Sequence, residues 1–484
     1  MKLQNPMTTH TLRVTALLSV LMFLPPAMTT HGQLAEKFPE PRREQLLNGL
    51  KVLFWNRPGD AQVLLKLRIH SGAAFDLDGK EGLMALLGDA LFPDSATRQY
   101  VTEDLGGKMV VSTDYDAINV TLTGRAAEFE RLVELLRNAT VSTRLTPETV
   151  TQLREARIKV MRDVSLAPEV IADRAISARL YGSYPYGRLM TGSPESLARI
   201  DRADLMLARE RFLNPNNATL VCIGGVEPAR ALRAVRQFLG VWRRSERVIP
   251  ATFRQPEKPG QPTLIINLAG APDVEARLAL RGVARTDRAA AAAAVLPLLV
   301  RDRWRALAPQ LKDSVLSVRH DAYAIGGVFR MSAAVRSSSS AATAFEAARK
   351  TLDEFVTTPP TPAALENAKR ETLAGLNQNV EMTEVIAEAW LDAQTYNSEA
   401  VSTPELTRSI NSLSPADIQR IAARLFRDAP VVAVAVGDET KLRNDLARSG
   451  SFEVLGAASD PKTKSPASTA PRAPSAPELR MRRP

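Results

Sequence analysis

Four histidines and one cysteine are the nitrogen and thiol side chains in this 484-residue chain that zinc would favour, and none of them stands at ligand spacing. A catalytic zinc needs about three protein donors and an open position. His10 and His31 fall in or beside an apolar leader, which leaves His70 and His320 far apart and reading as ordinary strand or loop residues. Cys222 lies inside the apolar run LVCIGG, where a thiol reads as a buried core group and not as a nucleophile. Asp89, in GLMALLGDALF, is expected to cap or solvate its helix. Arg301, Arg303 and Arg305 read as a solvated helix face.

The elements that carry these residues follow from periodicity. Val52 to Trp55 and Val63 to Ile69 read as two strands around a Pro-Gly turn, a hairpin that opens the first domain. Lys80 to Phe92 spaces Leu83, Leu86, Leu87 and Ala90 as a helix does. Lys108 to Ser112 and Ala117 to Thr123 alternate at period two around the turn residues Asp114, Tyr115 and Asp116. Helical patterns follow at 126–138 and 147–180, then a buried strand at 217–224 and a helix from Pro228. Charge and proline rise between Arg243 and Pro262, which suits an exposed linker. Beyond it the element order returns, ending in helical patterns at 362–387 and 415–426 and a strand at 431–436. The fold class is therefore α+β, a diverged tandem duplication of two-layer α/β domains.

Composition narrows the function classes. Apolar residues make up 45% and charged residues 24%, as in a globular protein with a sizeable core. The net charge of +10 is spread along a chain with only 5% aromatics, so it is read as solvated surface and not as a nucleic-acid footprint. Lys2, Arg13, the apolar run from Val14 to Met28 and the small polar residues through Gln33 have the layout of a secretory signal. The run is shorter than the roughly 20 residues a spanning helix needs. An uncleaved anchor is the alternative, and the favoured reading is an exported, periplasmic protein with no membrane span after signal removal. The lone cysteine excludes an internal disulfide. The expected organisation is a signal peptide at 1–33, an N-terminal domain at 34–243, a linker at 244–262, a C-terminal domain at 263–456 and a Pro/Ser/Ala/basic disordered tail at 457–484.

Several segments in this order resemble the pitrilysin/insulinase metallopeptidases, the inverzincins. They are NGLKV (Asn48–Val52), Gly106–Gly107 followed by STDYDAINVTLTG, GSYPYGRLMTGSPESL (Gly182–Leu197), NPNNATLVCIGGVEP (Asn214–Pro228) with FLGVW after it, and TPAALENAKRETLAGL (Thr361–Leu376). The resemblance implies a helix that, in active relatives, presents H-x-x-E-H: two zinc-binding histidines and a glutamate general base, with a second glutamate on a later helix. Here those positions carry Ala85, Gly88 and Asp89, and aligning the later helix on Pro168 puts Val160, or its neighbour Met161, at the fourth. Glu155 and Asp163 lie within an alignment slip. Ala, Gly and Val offer no donor atoms, so no metal and no catalytic residue is expected, and zinc belongs to active relatives and to a partner subunit. The family's later half also supplies an arginine and a tyrosine that bind the substrate carbonyl, in some bacterial pairs from a subunit without zinc. Arg305 matches the arginine, whereas Ser314 or Val315 falls at the tyrosine, with Tyr323 nearby but out of alignment. The strand after the two glycines presents an edge in this fold to which an extended peptide can add. It corresponds to Lys108, Met109, Val110 and Val111.

The reading that follows is a noncatalytic subunit of an exported zinc peptidase, binding and enclosing peptide substrate beside a zinc-bearing paralogous subunit. A stand-alone peptide-binding or scaffold protein of the same fold is the alternative. An active zinc endopeptidase with a rebuilt site is the third reading, and it needs ligands the sequence does not display.

Overall fold

The structure, a computed structural model, describes residues 39–164, 167–246, 259–260, 262–377, 383–398, 403–447 and 450–456. The expected signal peptide, most of the expected linker and the tail lie outside them. Two six-stranded sheets organise the molecule. The first contains β1 (Arg42–Gln45), β2 (Lys51–Asn56), β3 (Gln62–Ile69), β4 (Met109–Thr113), β5 (Ile118–Arg125) and β6 (Ala218–Gly224), ordered β1-β2-β6-β3-β5-β4. The second contains β7 (Thr263–Asn267), β8 (Val274–Gly282), β9 (Val315–Ala322), β10 (Gly327–Val335), β11 (Val432–Gly437) and β12 (Phe452–Gly456), ordered β12-β7-β11-β8-β10-β9. Substituting β7 for β2, β11 for β6, β8 for β3, β10 for β5 and β9 for β4 converts one order into the other, so the duplication is one of topology. Only the outermost strand beside β2 or β7 differs: β1 is antiparallel to β2, whereas β12 is parallel to β7.

Between the strands of the first half run α1 (Leu83–Asp89), α2 (Ser95–Glu103), α3 (Phe129–Arg137), α4 (Pro147–Val164), α5 (Pro168–Tyr181), α6 (Pro194–Ala198), α7 (Arg202–Phe212) and α8 (Pro228–Leu239). The second half has α9 (Ala290–Leu307), α10 (Ser338–Thr357), α11 (Pro362–Asn377), α12 (Thr383–Thr395), α13 (Thr403–Asn411), α14 (Pro415–Phe426) and α15 (Glu439–Leu446). The helical pattern at 147–180 is two helices, because Pro168 occupies the first turn of α5 and disfavours helical backbone just before it. The pattern at 362–387 likewise belongs to two helices, α11 and α12.

The opening hairpin does not form. Gly59 adopts the left-handed turn at φ +84 as expected, yet β6 lies between β2 and β3, parallel to the first and antiparallel to the second. All seven residues of β6 are buried, so the strand gains most from a central place covered on both faces. The β4–β5 hairpin does form, with Val111 opposite Val120, and β9–β10 repeats it with Val318 opposite Met331.

Alternation along β3 explains the layers. Val63, Leu65, Leu67 and Ile69 join the core shared with α1, α3 and α8. Leu64, Lys66 and Arg68 face the other way. There Ile386, Ala387, Trp390 and Leu391 of α12 pack on Leu53, Leu64, Val221 and Ile223. Lys66 and Arg68 both pair with Glu388, and Arg68 Nη1 reaches Asp392 Oδ1 at 2.6 Å. The second sheet repeats the arrangement with the sequence halves reversed. Ala172, Ala175, Ile176 and Leu180 of α5 cover Leu264, Ala279, Val432 and Val434, and buried Arg277 of β8 pairs with Asp173 of α5 at 2.6 Å. Each sheet thus takes the cover of one face from the other half of the sequence.

Candidate functional site

Helix α1 carries the three positions at which the resemblance expects metal chemistry. Its start is fixed by Asp76, whose carboxylate accepts hydrogen bonds from the backbone N–H groups of Gly82 and Met84, both at 2.7 Å. Burial pushes the Asp76 carboxyl up to about 7, with those two bonds opposing. Ala85 is 3% exposed and its methyl belongs to the core. Gly88 is buried against the β4–β5 hairpin: a Cβ there would stand 2.9 Å from Thr113 Oγ1 and 3.4 Å from Ile118 Cγ2. Any side chain at 88, a glutamate included, would require Thr113 to give way.

Asp89 is the one donor side chain among the three, and it is already engaged. Arg157, on α4, donates through Nε to Asp89 Oδ2 at 2.8 Å, with Nη2 at 2.6 Å from the same oxygen. Arg157 Nη2 also donates to the Ala85 carbonyl at 3.1 Å. Burial moves the Asp89 carboxyl upward, opposed by the Arg157 charge and hydrogen bond. Val160, one turn after Arg157, is 61% exposed. Ala85, Gly88 and Asp89 are therefore brought together with Arg157, which sequence reasoning missed: one of three arginines in the charged segment REARIKVMRD reads as solvated surface.

Zinc does not fit this set of residues. The positions offer a methyl group, a hydrogen, a carboxylate bound to a guanidinium, and the guanidinium itself, which is a donor only and stays charged. No group of three or more His, Cys, Asp or Glu residues among the described residues could hold a metal ion. His70 is wedged between Thr395 Oγ1 at 3.0 Å and Thr219 Oγ1 at 2.9 Å. His320 Nε2 accepts from the Val283 N–H at 3.1 Å. Cys222 is buried in β6, where desolvation pushes its thiol upward, away from the thiolate a nucleophile needs.

Beside α1 runs β4, the last strand of its sheet, paired only with β5 among the described strands. Hydrogen bonds from Thr123 N to Lys108 O and from Asp114 N to Ala117 O set the alternation. Even-numbered residues of β4 bond to β5, so Met109, Val111 and Thr113 turn their N–H and C=O groups toward the open edge. Lys108 stands just before the strand and donates its N–H to Thr123 Oγ1 at 2.9 Å. Val110 is 56% exposed. Gly107 makes the approach possible, because a Cβ there would collide with the Thr123 carbonyl oxygen at 1.8 Å.

The second constellation is not assembled in the same way. Arg301 forms a two-pronged pair with Glu371 at 2.9 and 3.0 Å, and Arg303 bonds Glu354. Arg305 is exposed on α9, with a long 3.4 Å hydrogen bond to the Leu316 carbonyl. Val315 is 71% exposed, and the Ser314 N–H closes a turn onto Leu311 O. Tyr323 belongs to a packed aromatic joint, its ring 5.0 Å from Tyr115 and 4.6 Å from Tyr186. The segment GSYPYG supplies Tyr184 and Tyr186 to that joint, where Tyr186 Oη accepts from the Ile325 N–H at 3.1 Å. A cavity of about 510 Å³ opens nearby, lined in part by Arg68, Asp116, Arg285, Asp321, Asp392 and Tyr396. Its charges largely hold one another: Asp392 binds both Arg68 and Arg285, and Asp116 accepts from Tyr396 Oη at 2.9 Å.

Comparison with known proteins bears on this arrangement. Residues 51–193 match the family model described as Insulinase (Peptidase family M16), and residues 199–372 match the Peptidase M16 inactive domain. No curated protein sequence matches. Among solved structures, a protease from Helicobacter pylori is similar at a TM-score of 0.74 and 17% identity, over 82% of this chain and 99% of its own. A peptidase M16 inactive domain from Pseudomonas fluorescens gives 0.72 and 18%, over 86% and 100%. A putative M16-like peptidase from Alicyclobacillus acidocaldarius gives 0.71 and 15%, over 82% and 98%. At these identities the structures establish the shared fold.

Proposed function

Since this chain belongs to the insulinase family of peptidases, family M16, we propose that it is a noncatalytic member of an exported peptidase, holding extended peptide beside a zinc-bearing paralogous subunit. The observation that carries the noncatalytic part is the Asp89–Arg157 pair, which fills with an internal ion pair the place where ligands and a general base would stand. Peptide holding is supported by β4, whose outward N–H and C=O groups at Met109, Val111 and Thr113 offer a ladder to an added strand. That ladder needs no metal. Export rests on the leader-like segment before Gln33, and the partner on the family resemblance.

The test is to mix the mature chain with an H-x-x-E-H paralogue encoded in the same genome. Co-elution, with cleavage faster than by the paralogue alone, is the expected outcome. An unchanged rate without co-elution, while the chain still binds peptide, would replace the subunit reading by a stand-alone binding protein.

A further inference from the structure

Two acceptors on α1, the Asp89 carboxylate and the Ala85 carbonyl, converge on one point, and that point holds the guanidinium of Arg157. The side chains of Arg157 and Asp89 are 17% and 32% exposed, so their interaction is only partly screened by water. Residues 85 and 89 are one helical turn apart on α1, and α4 faces them, the geometry in which a bound cation would tie the two helices together. We infer that Arg157 takes the place of that cation. It is a covalently attached positive charge that clamps α4 to α1 and repels any metal ion from the site, even if ligand side chains were restored.

This inference rests on the noncatalytic reading and gives it a physical cause beyond the missing histidines. A guanidinium remains protonated at every working pH, so it cannot become a ligand. A divalent ion held by side chains at 85 and 89 would sit beside a fixed charge at contact distance, where repulsion weakens binding severalfold to many-fold depending on local screening. The restored base would face a second obstacle, the 2.9 Å approach of a Gly88 Cβ to Thr113 Oγ1.

The experiment compares two full-length variants that differ at one residue: A85H/D89H and A85H/D89H/R157Q. Zinc affinity is read by chelator competition, and cobalt(II) binding by its visible absorption band. The triple variant is expected to bind zinc at least ~10-fold more tightly, as the loss of a charge at contact distance implies. Equal affinity in the two variants would overturn the inference. Should the histidine variants fail to fold, thermal midpoints of wild type, R157Q, D89N and D89N/R157Q decide. A lowered midpoint in R157Q with little further loss in the double variant supports the clamp, and a midpoint equal to wild type in R157Q overturns it. Stoichiometric zinc in the unmodified chain would instead strike at the noncatalytic reading, so the two failures are distinguishable.

Discussion

Single groups at two positions test how tightly the backbone and the core are specified. A methyl group on Gly107 would meet the Thr123 carbonyl at 1.8 Å, whereas nothing lies within 4 Å of a Cβ on Gly375. Gly107→Ala is therefore expected to cost about 3 kcal/mol in urea unfolding and to weaken peptide binding at the neighbouring strand. Gly375→Ala, within helix α11, should gain about 0.5 kcal/mol through lower unfolded-chain entropy. His70 gives a pH signature. Burial, then the charges of Arg68 and Lys51, push it down to about 3. The unfolded chain takes up the proton near pH 6.5, so the stability this neutral imidazole contributes is complete above that pH and is lost as pH falls toward 3. Between pH 6.5 and 4 the loss is on the order of 3 kcal/mol. Unfolding free energy should consequently fall less steeply with acid in His70→Gln than in wild type. Asp76, raised to about 7, acts in the opposite sense, its contribution fading as pH rises, and comparing variant with wild type at each pH separates the two. Ala85, Gly88 and Asp89 could be placed on one helix from the leucine spacing around them. Arg157 could not be linked to them, because nothing in the spacing of α4 distinguishes an arginine that reaches a neighbouring helix from one that reaches water.

At the scale of elements, the open edge of β4 and the exchange of α5 and α12 each carry a prediction. If an added peptide bonds to the outward groups of Met109, Val111 and Thr113, N-methylation of alternate peptide residues should abolish binding in one phase and spare it in the other. Binding spared in both phases, read by fluorescence anisotropy, would point to recognition by side chains alone. The α12 clasp makes a different prediction. Arg68 is 5% exposed and is held by Glu388, Asp392 and Asn119. Arg68→Ala leaves Glu388 with only Lys66 and Asp392 with only Arg285, and empties a buried site, so it should cost about 3 kcal/mol, whereas Glu388→Gln leaves Arg68 paired with Asp392 and should cost about 1 kcal/mol or less. The hairpins β4–β5 and β9–β10 were legible because strand, turn and returning strand are contiguous. The separation of β2 from β3 was not, since the strand between them comes from the far end of the half and leaves no local mark on either.

For the whole molecule, duplication and exchange act together. The duplication was legible from the return of the element pattern after Pro262, but the strand order within each sheet was not. The exchange of α5 and α12 was not, because a helix apolar enough to cover a sheet reads the same whichever sheet it covers. Its consequence is mutual dependence. A fragment ending at residue 246 would lack the cover that α12 gives to Leu53, Leu64, Val221 and Ile223, and would leave α5 without the sheet it covers. Fragments 39–246 and 259–456 are each expected to be aggregation-prone alone and to recover native-like secondary and tertiary signals when refolded together, checked by size exclusion and near-ultraviolet circular dichroism. Independent, monomeric folding of either fragment would show that the exchange contributes little.

The most direct test of the noncatalytic claim is elemental analysis of the purified full-length chain after equilibration with zinc, paired with a peptidase assay on the same sample. With Ala85, Gly88, Asp89 and Arg157 in place, the chain should retain no stoichiometric zinc and cleave no peptide on its own. One zinc per chain accompanied by cleavage that chelation abolishes would contradict the account.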